Sequence, residues 1–600
     1  MKKLLKQYFG YDDFRPLQEE IIDNVLRKND TFVLMPTGGG KSLCYQLPAL
    51  RFPGITLVVS PLIALMKDQV DALQSCGVKA EFVNSSLNPG EIERIYRQAE
   101  DGKIKILYVA PERFANRNFR DFLQSIRVSL IAIDEAHCIS EWGHDFRPDY
   151  RNLRMLRNYF PSVPLIALTA TATERVRRDI VNQLGLQNAK LYVSSFDREN
   201  LHLSVIEKKN AFPKLLSLLE KYRDDSVIIY CFSRNDTEKL AKKLDANGFK
   251  ARAYHAGLTQ EKRSRVQEYF IKDKVNIIVA TIAFGMGIDK PNVRLVVHYT
   301  YPKTIEGYYQ EIGRAGRDGL PSECVMFYTY ADTRKHGFFI DQMENDELRQ
   351  RAEDKLGEMI KYGELTTCRK KYILKYFGEE LQKENCRGCD ICLTEKEMFD
   401  ATTVAKKILS AVVRTGNRFG KNYVIDVLLG KSDQKIRANG HDQLSVFGII
   451  NDFSESALSQ IANQLAGLEF VKKSDGRYPT LGITKKGIEF LKGAETLMIP
   501  RPYIAPETRK IKKGELDYDF GLFEELRALR KSLAEAANVP PFIIFGDTSL
   551  QEMAYYLPQD RDAFAMISGV GSKKLETLGN DFLRVIVDYT DKNHLSPKAI

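Results

Sequence analysis

Short, unbroken apolar runs alternate with longer stretches of helical period through residues 1–335. DTFVLM (30–35), ITLVVS (55–60), IKILYVA (104–110), SLIAID (129–134) and PLIALTA (164–170) occupy the first half of this region. DSVIIYCFS (225–233), VNIIVAT (275–281) and VRLVVHY (293–299) occupy the second. Continuous rather than alternating apolar character suits strands covered on both faces of a parallel sheet. Helical stretches between them imply right-handed crossovers, hence two doubly wound α/β domains. In such folds ligands gather at the carboxyl ends of strands, so the chemistry is expected just after these runs.

Polar, glycine-rich sequence stands at those positions. PTGGGKS (36–42) follows the first run and precedes helical LCYQLPAL. Thr37, Gly38, Gly39 and Gly40 allow backbone amides to turn inward as an anion nest. Lys41 is then placed to reach outer phosphates and Ser42 to coordinate Mg2+. The general form of this loop has glycine where Met35 stands, so the match is to its second half. DEAH (134–137) closes SLIAID: Asp134 completes a magnesium shell and Glu135 can orient and deprotonate water. Such an acidic pair alone is usually a solvated strand edge; the upstream phosphate loop makes an ATPase centre the better reading. In QEIGRAGRDG (310–319), Gln310, Arg314 and Arg317 form a further candidate set. Arg314 and Arg317 are three apart, so a helix would turn both to one side, although the flanking glycines favour close backbone packing instead.

Composition narrows the picture. The 600 residues divide naturally into three to five cores. Formal charge is +10, from 89 Lys and Arg against 79 Asp and Glu, which permits a polyanionic partner without demanding one. No run approaches the roughly 20 apolar residues of a membrane span, and the start turns polar too early for a signal peptide, so a cytosolic protein is expected. Five of nine cysteines are scattered; Cys368, Cys386, Cys389 and Cys392 cluster. Two C-x-x-C steps after a seventeen-residue spacer suit tetrahedral Zn2+.

Helical spacing in ATTVAKKILSAVVRT (401–415) and SESALSQIANQLAGL (454–468) precedes a hairpin pattern in EFVKKSDGRYPTLGIT (469–484). Arg418, Lys421 and the tip bearing Tyr478 are candidate phosphate contacts, with plain solvated loops an equal alternative. RPYIAPETRKIKK (501–513) reads as a basic, proline-containing linker, and helical spacing returns from 517.

Taken in order, these motifs resemble the superfamily 2 helicases and specifically the RecQ DNA helicases, over nearly the whole chain. FGYDDFRPLQEEII (9–22) is similar to the family's adenine-recognition motif, implying that Gln18 reads the base while Tyr11 and Arg15 enclose it. SPLIALMKDQV (60–70), YVAPERF (108–114), LTATAT (168–173), AYHAGL (253–258) and ATIAFGMGIDKPNVR (280–294) match further motifs, and MPTGGGKS is the family's usual loop. CISEWGHDFRP (138–148) resembles its aromatic-rich loop, which senses single-stranded DNA. Trp142 and Phe146 would offer ring faces to bases, and His144 and Arg147 donors to phosphate. The plainer alternative is that Trp142, the single tryptophan, packs between the α/β domains.

The resemblance implies two tandem RecA-like parallel-sheet domains (1–203 and 204–338), a zinc-binding module (339–398), a winged helix (399–497), the linker (498–516), a small all-α HRDC domain (517–592) and a tail (593–600). SGVGSKK (568–574) makes Lys573 a candidate nucleic-acid contact. The implied activity is ATP-dependent 3′–5′ DNA unwinding in recombination and repair. Single-stranded and forked duplex DNA, and by family single-strand-binding protein and topoisomerase, are the implied partners, in a nucleoid-associated setting. An RNA helicase or a non-catalytic DNA scaffold are the rivals; intact Lys41, Glu135 and Arg317 speak against the scaffold.

Overall fold

The apolar runs pair as parallel strands. In the computed structural model, which describes residues 1–143, 145–284, 290–394, 397–474, 479–502 and 516–598, the first lobe holds β1 (Thr31–Leu34), β2 (Ile55–Val59), β3 (Ala80–Val83), β4 (Ile106–Val109), β5 (Val128–Ile133), β6 (Leu165–Thr169) and β7 (Lys190–Val193). They form one sheet of order β3-β4-β2-β5-β6-β1-β7, parallel throughout. The second lobe holds β8 (Leu201–Glu207), β9 (Ser226–Tyr230), β10 (Ala251–Tyr254), β11 (Ile277–Ala280), β12 (Val293–His298) and β13 (Ser322–Tyr328). Their order is β10-β11-β9-β12-β13-β8, again parallel.

Five of these strands escape the reading by apolar runs. β3, β7, β8 and β10 lie at or next to sheet edges, where only one face needs to be apolar. β13 is buried between β12 and the edge strand β8, but it opens with Ser322 and Glu323, whose burial is matched by a 2.7 Å hydrogen bond from the Tyr222 hydroxyl.

The lobes and the module after them share one hydrophobic core. Phe196, on the connector between lobes, stacks on Phe377 at 4.7 Å and meets Tyr309 edge-on at 5.8 Å. The cysteine-bearing module is stapled to β8: Leu203 N–H donates to the Gly388 carbonyl at 2.9 Å, and Val205 N–H to Asp390 at 2.9 Å. Asp390 also takes the buried Arg369 guanidinium at 2.6 Å.

A separate core gathers helices Thr402–Arg414, Lys421–Leu428 and Glu455–Gly467 against the antiparallel pair Val471–Lys473 and Leu481–Ile483. Met398–Asp400 pairs with Met498–Pro500, closing this winged helix at its two chain ends. The last core is all helical, from Phe520–Ala536 to Ser572–Asn593. His144, Tyr478 and most of the expected linker lie outside the described residues. No helix among the described residues is long and apolar enough to cross a membrane.

Candidate functional site

β1 and β5 deliver their C-terminal residues to the same edge of the first sheet with β6 between them, two strand spacings or about 9.6 Å apart. Thr169, ending β6, ties the two ends together. Its carbonyl accepts from Met35 N–H at 3.1 Å, and its hydroxyl lies 2.8 Å from His137 Nδ1. Past β1 the chain turns through Gly38 and Gly40, at φ +82° and +83°, a left-handed course that glycine adopts without strain. The Lys41 ammonium donates to the Met35 and Pro36 carbonyls at 3.1 and 3.3 Å. From the N-terminal motif, Arg15 donates to the Gly38 carbonyl and Gln18 to the Gly40 carbonyl at 3.0 Å. Gln18 is only 3% exposed and is fixed by Arg15 N–H at 2.9 Å, so its amide has a single orientation.

After β5, Asp134 is half-buried while Glu135 sits at φ +48°, in a region a non-glycine residue occupies only when its surroundings hold it there. His137 Nδ1 lies 3.3 Å from the Glu135 carboxylate. Burial first, and the adjacent Glu135 second, push the Asp134 carboxyl up to about 7, with Lys41 pulling it back. Two adjacent carboxylates facing one lysine form a site that a divalent cation would discharge, so the donor set of Ser42 and Asp134 fits magnesium.

The second lobe completes this edge. Helix Ile305–Ile312 ends before the arginines: Arg314 and Arg317 lie on turns, as the flanking glycines suggested, and not on a helical face. Gly316, at φ +53°, lies within these turns, and Asn200, Leu320 and Ser322 pack against it so closely that there is no room for a Cβ. One cavity of about 410 Å³ is lined by Tyr11, Arg15, Gln18, Lys41 and Ser42, by Asp134 and Glu135, and from the opposite lobe by Gln310, Arg314 and Arg317. That volume is in the range of nucleotide-sized sites.

One member of this arrangement left no mark in the sequence. Arg198, on the connector, donates to the Thr37 carbonyl and, at 3.0 and 2.7 Å, to the Ala315 and Gly316 carbonyls. It joins the phosphate loop to the arginine turn, yet in SSFDREN it is an ordinary basic residue beside a strand.

The aromatic stretch follows Glu135 after one 3-10 turn, Ala136–Ile139. Arg147 is bound inward, to Asp145 at 3.0 Å and to the Pro61 carbonyl at 2.9 Å, and Tyr150 donates to the Asp134 carbonyl at 2.9 Å. Phe146 lies beneath the Arg151 guanidinium, 4.9 Å from its centroid. Arg175 and Arg351 both stand over the Trp142 ring, at 3.0 and 3.5 Å from its centroid.

Cys368, Cys386, Cys389 and Cys392 place their sulfurs within 4.8 Å of one another. Tetrahedral zinc with Zn–S bonds of about 2.3 Å needs sulfurs about 3.8 Å apart, so the set fits after a small contraction. Lys371 N–H and Gly388 N–H point at Cys368 and Cys386 sulfurs at 3.4 Å each, as thiolate ligands require. Elsewhere, Arg418 is exposed, its guanidinium 5.5 Å from the Phe419 centroid. Lys421 is buried and paired with Glu364 at 2.8 Å. Lys573 donates to the Gln74 carbonyl of the first lobe at 3.0 Å, next to the 2.9 Å bond from Gly569 N–H to the Gly10 carbonyl.

The chain matches the models of the DEAD/DEAH box helicase (15–180), the helicase conserved C-terminal domain (207–319), RecQ zinc-binding (330–393), the RQC domain (395–507) and the HRDC domain (519–586). It is 44% identical to an ATP-dependent DNA helicase RecQ of Pasteurella multocida, covering 97% of this chain and 93% of that one. The counterpart in Haemophilus influenzae is 44% identical over 98% and 95% of the two chains, and that in Bacillus subtilis 41% over 98% and 98%.

Proposed function

The chain belongs to the RecQ family of DNA helicases, and from that premise we propose that it couples ATP hydrolysis to 3′–5′ movement along single-stranded DNA and separates duplex ahead of it. The observation that carries this is the shared cavity: a phosphate loop and acidic pair on one lobe face two arginines on the other. ATP bound there has its base against Gln18, with Tyr11 and Arg15 beside it. Lys41 takes the outer phosphates. Ser42 and Asp134 would hold magnesium, which when bound neutralises charge between those phosphates. Glu135 orients the attacking water, and Arg317, with Arg314 behind it, meets the charge that develops on the γ-phosphate.

Arg198 links both halves of this centre, so nucleotide that draws the lobes together also moves the connector. Alternate closing and opening advances a strand held mainly by backbone and stacking contacts. The four cysteines would hold zinc as a closed structural site, with no ligand position left for water. Zinc binding of this kind stabilises the module against which the second lobe packs. The winged helix receives duplex, with Arg418 as a phosphate contact. Such an enzyme serves recombination and repair at the nucleoid, beside single-strand-binding protein and topoisomerase.

ATP turnover measured with DNA and with RNA oligomers of equal length tests the substrate class. Strong stimulation by DNA is expected; equal stimulation by RNA would favour the RNA-helicase reading.

A further inference from the structure

Trp142 is the only tryptophan in the chain, and neither face of its indole is open. Two guanidinium carbons 3.0 and 3.5 Å from one ring centre cannot share a face without their charges colliding, so Arg175 covers one side and Arg351 the other. Arg175 stands on helix Glu174–Leu184 of the first lobe; Arg351 stands on helix Asp346–Gly363, which leads into the zinc module. Lys355, one helical turn beyond Arg351, reaches the Trp142 carbonyl at 3.5 Å and pairs with Glu306 of the second lobe at 3.2 Å. Two helices therefore converge on one residue of the loop that continues from Glu135, and Lys355 ties the second of them to the second lobe.

A base cannot stack on this ring until a guanidinium leaves it. Cation–π contact and base stacking are of comparable strength, so the exchange is close to balanced. Phosphates tip it, because they attract the same cations that cover the ring.

Resting on the DNA-dependent reading above, we propose that Arg351 and Arg175 are positioning residues that clasp Trp142 in a resting place, and that single-stranded DNA releases it by taking the guanidiniums onto its phosphates and a base onto the indole. Arg351 then sets how far the ATPase runs without DNA. Its contact with the ring is worth about 2- to 30-fold in the resting population.

The single tryptophan supplies its own probe. Intrinsic emission and ATP turnover are followed in the full-length protein with and without unlabelled oligothymidylate. Wild type changes emission when the oligomer is added. Arg351→Ala without DNA differs from DNA-free wild type in emission, and its DNA-free turnover rises about 2- to 30-fold. Arg351→Lys, which keeps a cation over the ring, restores the wild-type emission. An Arg351→Ala protein that matches wild type in DNA-free emission and turnover, while Trp142→Ala has lost DNA stimulation, overturns the clasp and leaves the DNA relay standing. Full DNA stimulation in Trp142→Ala overturns the relay and the clasp with it.

Discussion

Arg198 and Thr37 lie on different structural units, the interlobe connector and the phosphate loop, and the guanidinium of the first donates to the carbonyl of the second. The same side chain also holds the carbonyls of Ala315 and Gly316 in the arginine turn. Burial, with Arg317 and Arg15 nearby, lowers its pKa, but an arginine stays charged at any working pH. Charge-assisted bonds of this kind contribute about 1.5–3 kcal/mol each. Arg198→Ala is expected to lower DNA-stimulated kcat at least tenfold with a smaller change in KM for ATP, because each half-site survives and only their registration is lost. Arg198→Lys does not rescue, since a single ammonium cannot span carbonyls on both loops. Steady-state turnover within twofold of wild type would remove Arg198 from the account.

Arg317 is the sharper case. Its Cα comes within 3.3 Å of where a Cβ on Gly38 would stand, so the arginine turn lies directly on the phosphate loop. Arg317→Ala should cut kcat by about 10³ while nucleotide still binds. Binding of a fluorescent ATP analogue and single-turnover hydrolysis, measured on one preparation, separate the two effects. A variant that loses binding and keeps its chemical rate would assign Arg317 to affinity instead.

Zinc removal has a structural consequence. The metal-binding sulfurs lie next to the strand contact between Leu203 and Gly388, so loosening them strips cover from β8. Chelation, or Cys389→Ala, is expected to lower the melting temperature and to release the module to protease, with metal content falling in step. A chelated protein that melts and unwinds as before would contradict a structural metal.

Glu364 supplies a pH dependence. Burial pushes its carboxyl up, but Lys421 at 2.8 Å and Lys473 at 3.1 Å outweigh burial and hold it below its usual range. A carboxyl depressed in the folded state contributes stability above its unfolded pKa and loses it as pH falls through the folded value. The joint between helix Asp346–Gly363 and the winged helix should therefore weaken as pH drops below about 4.3, the ordinary glutamate value. Glu364→Gln leaves Lys421 buried without a counter-charge and should cost about 3 kcal/mol at neutral pH. Thermal melting from pH 7 to about pH 3 follows both, because the loss develops below about 4.3. A mutant as stable as wild type at pH 7 would show that the pair carries no stability.

Much of the architecture was legible because buried parallel strands must be continuously apolar, and the chemistry of open α/β folds sits at their ends. PTGGGKS after β1 and DEAH after β5 follow from that rule alone, and the two C-x-x-C steps from ligand geometry. Strands β3, β7, β8 and β10 were hidden because partly exposed edges carry mixed side chains, and β13 because a buried Glu323 disguises its start. The glycines flanking the arginines signalled close backbone packing rather than a helical face, and helix Ile305–Ile312 does end before Arg314, with Gly316 packed too tightly for a Cβ. Arg198, Arg175 and Arg351 had no signal at all. Their importance lies in what they touch across the fold, which no local pattern records.

Nucleotide cleaved between the lobes is proposed to drive a strand through the protein in one direction. Strand separation on forks carrying a single-stranded tail of either polarity, with ATP and magnesium, tests it most directly, with Lys41→Ala as the control. The expected result is unwinding of the 3′-tailed fork, little on the 5′-tailed one, and none by the Lys41 variant. Unwinding that persists in Lys41→Ala, or a wild-type protein that opens neither fork, would contradict it.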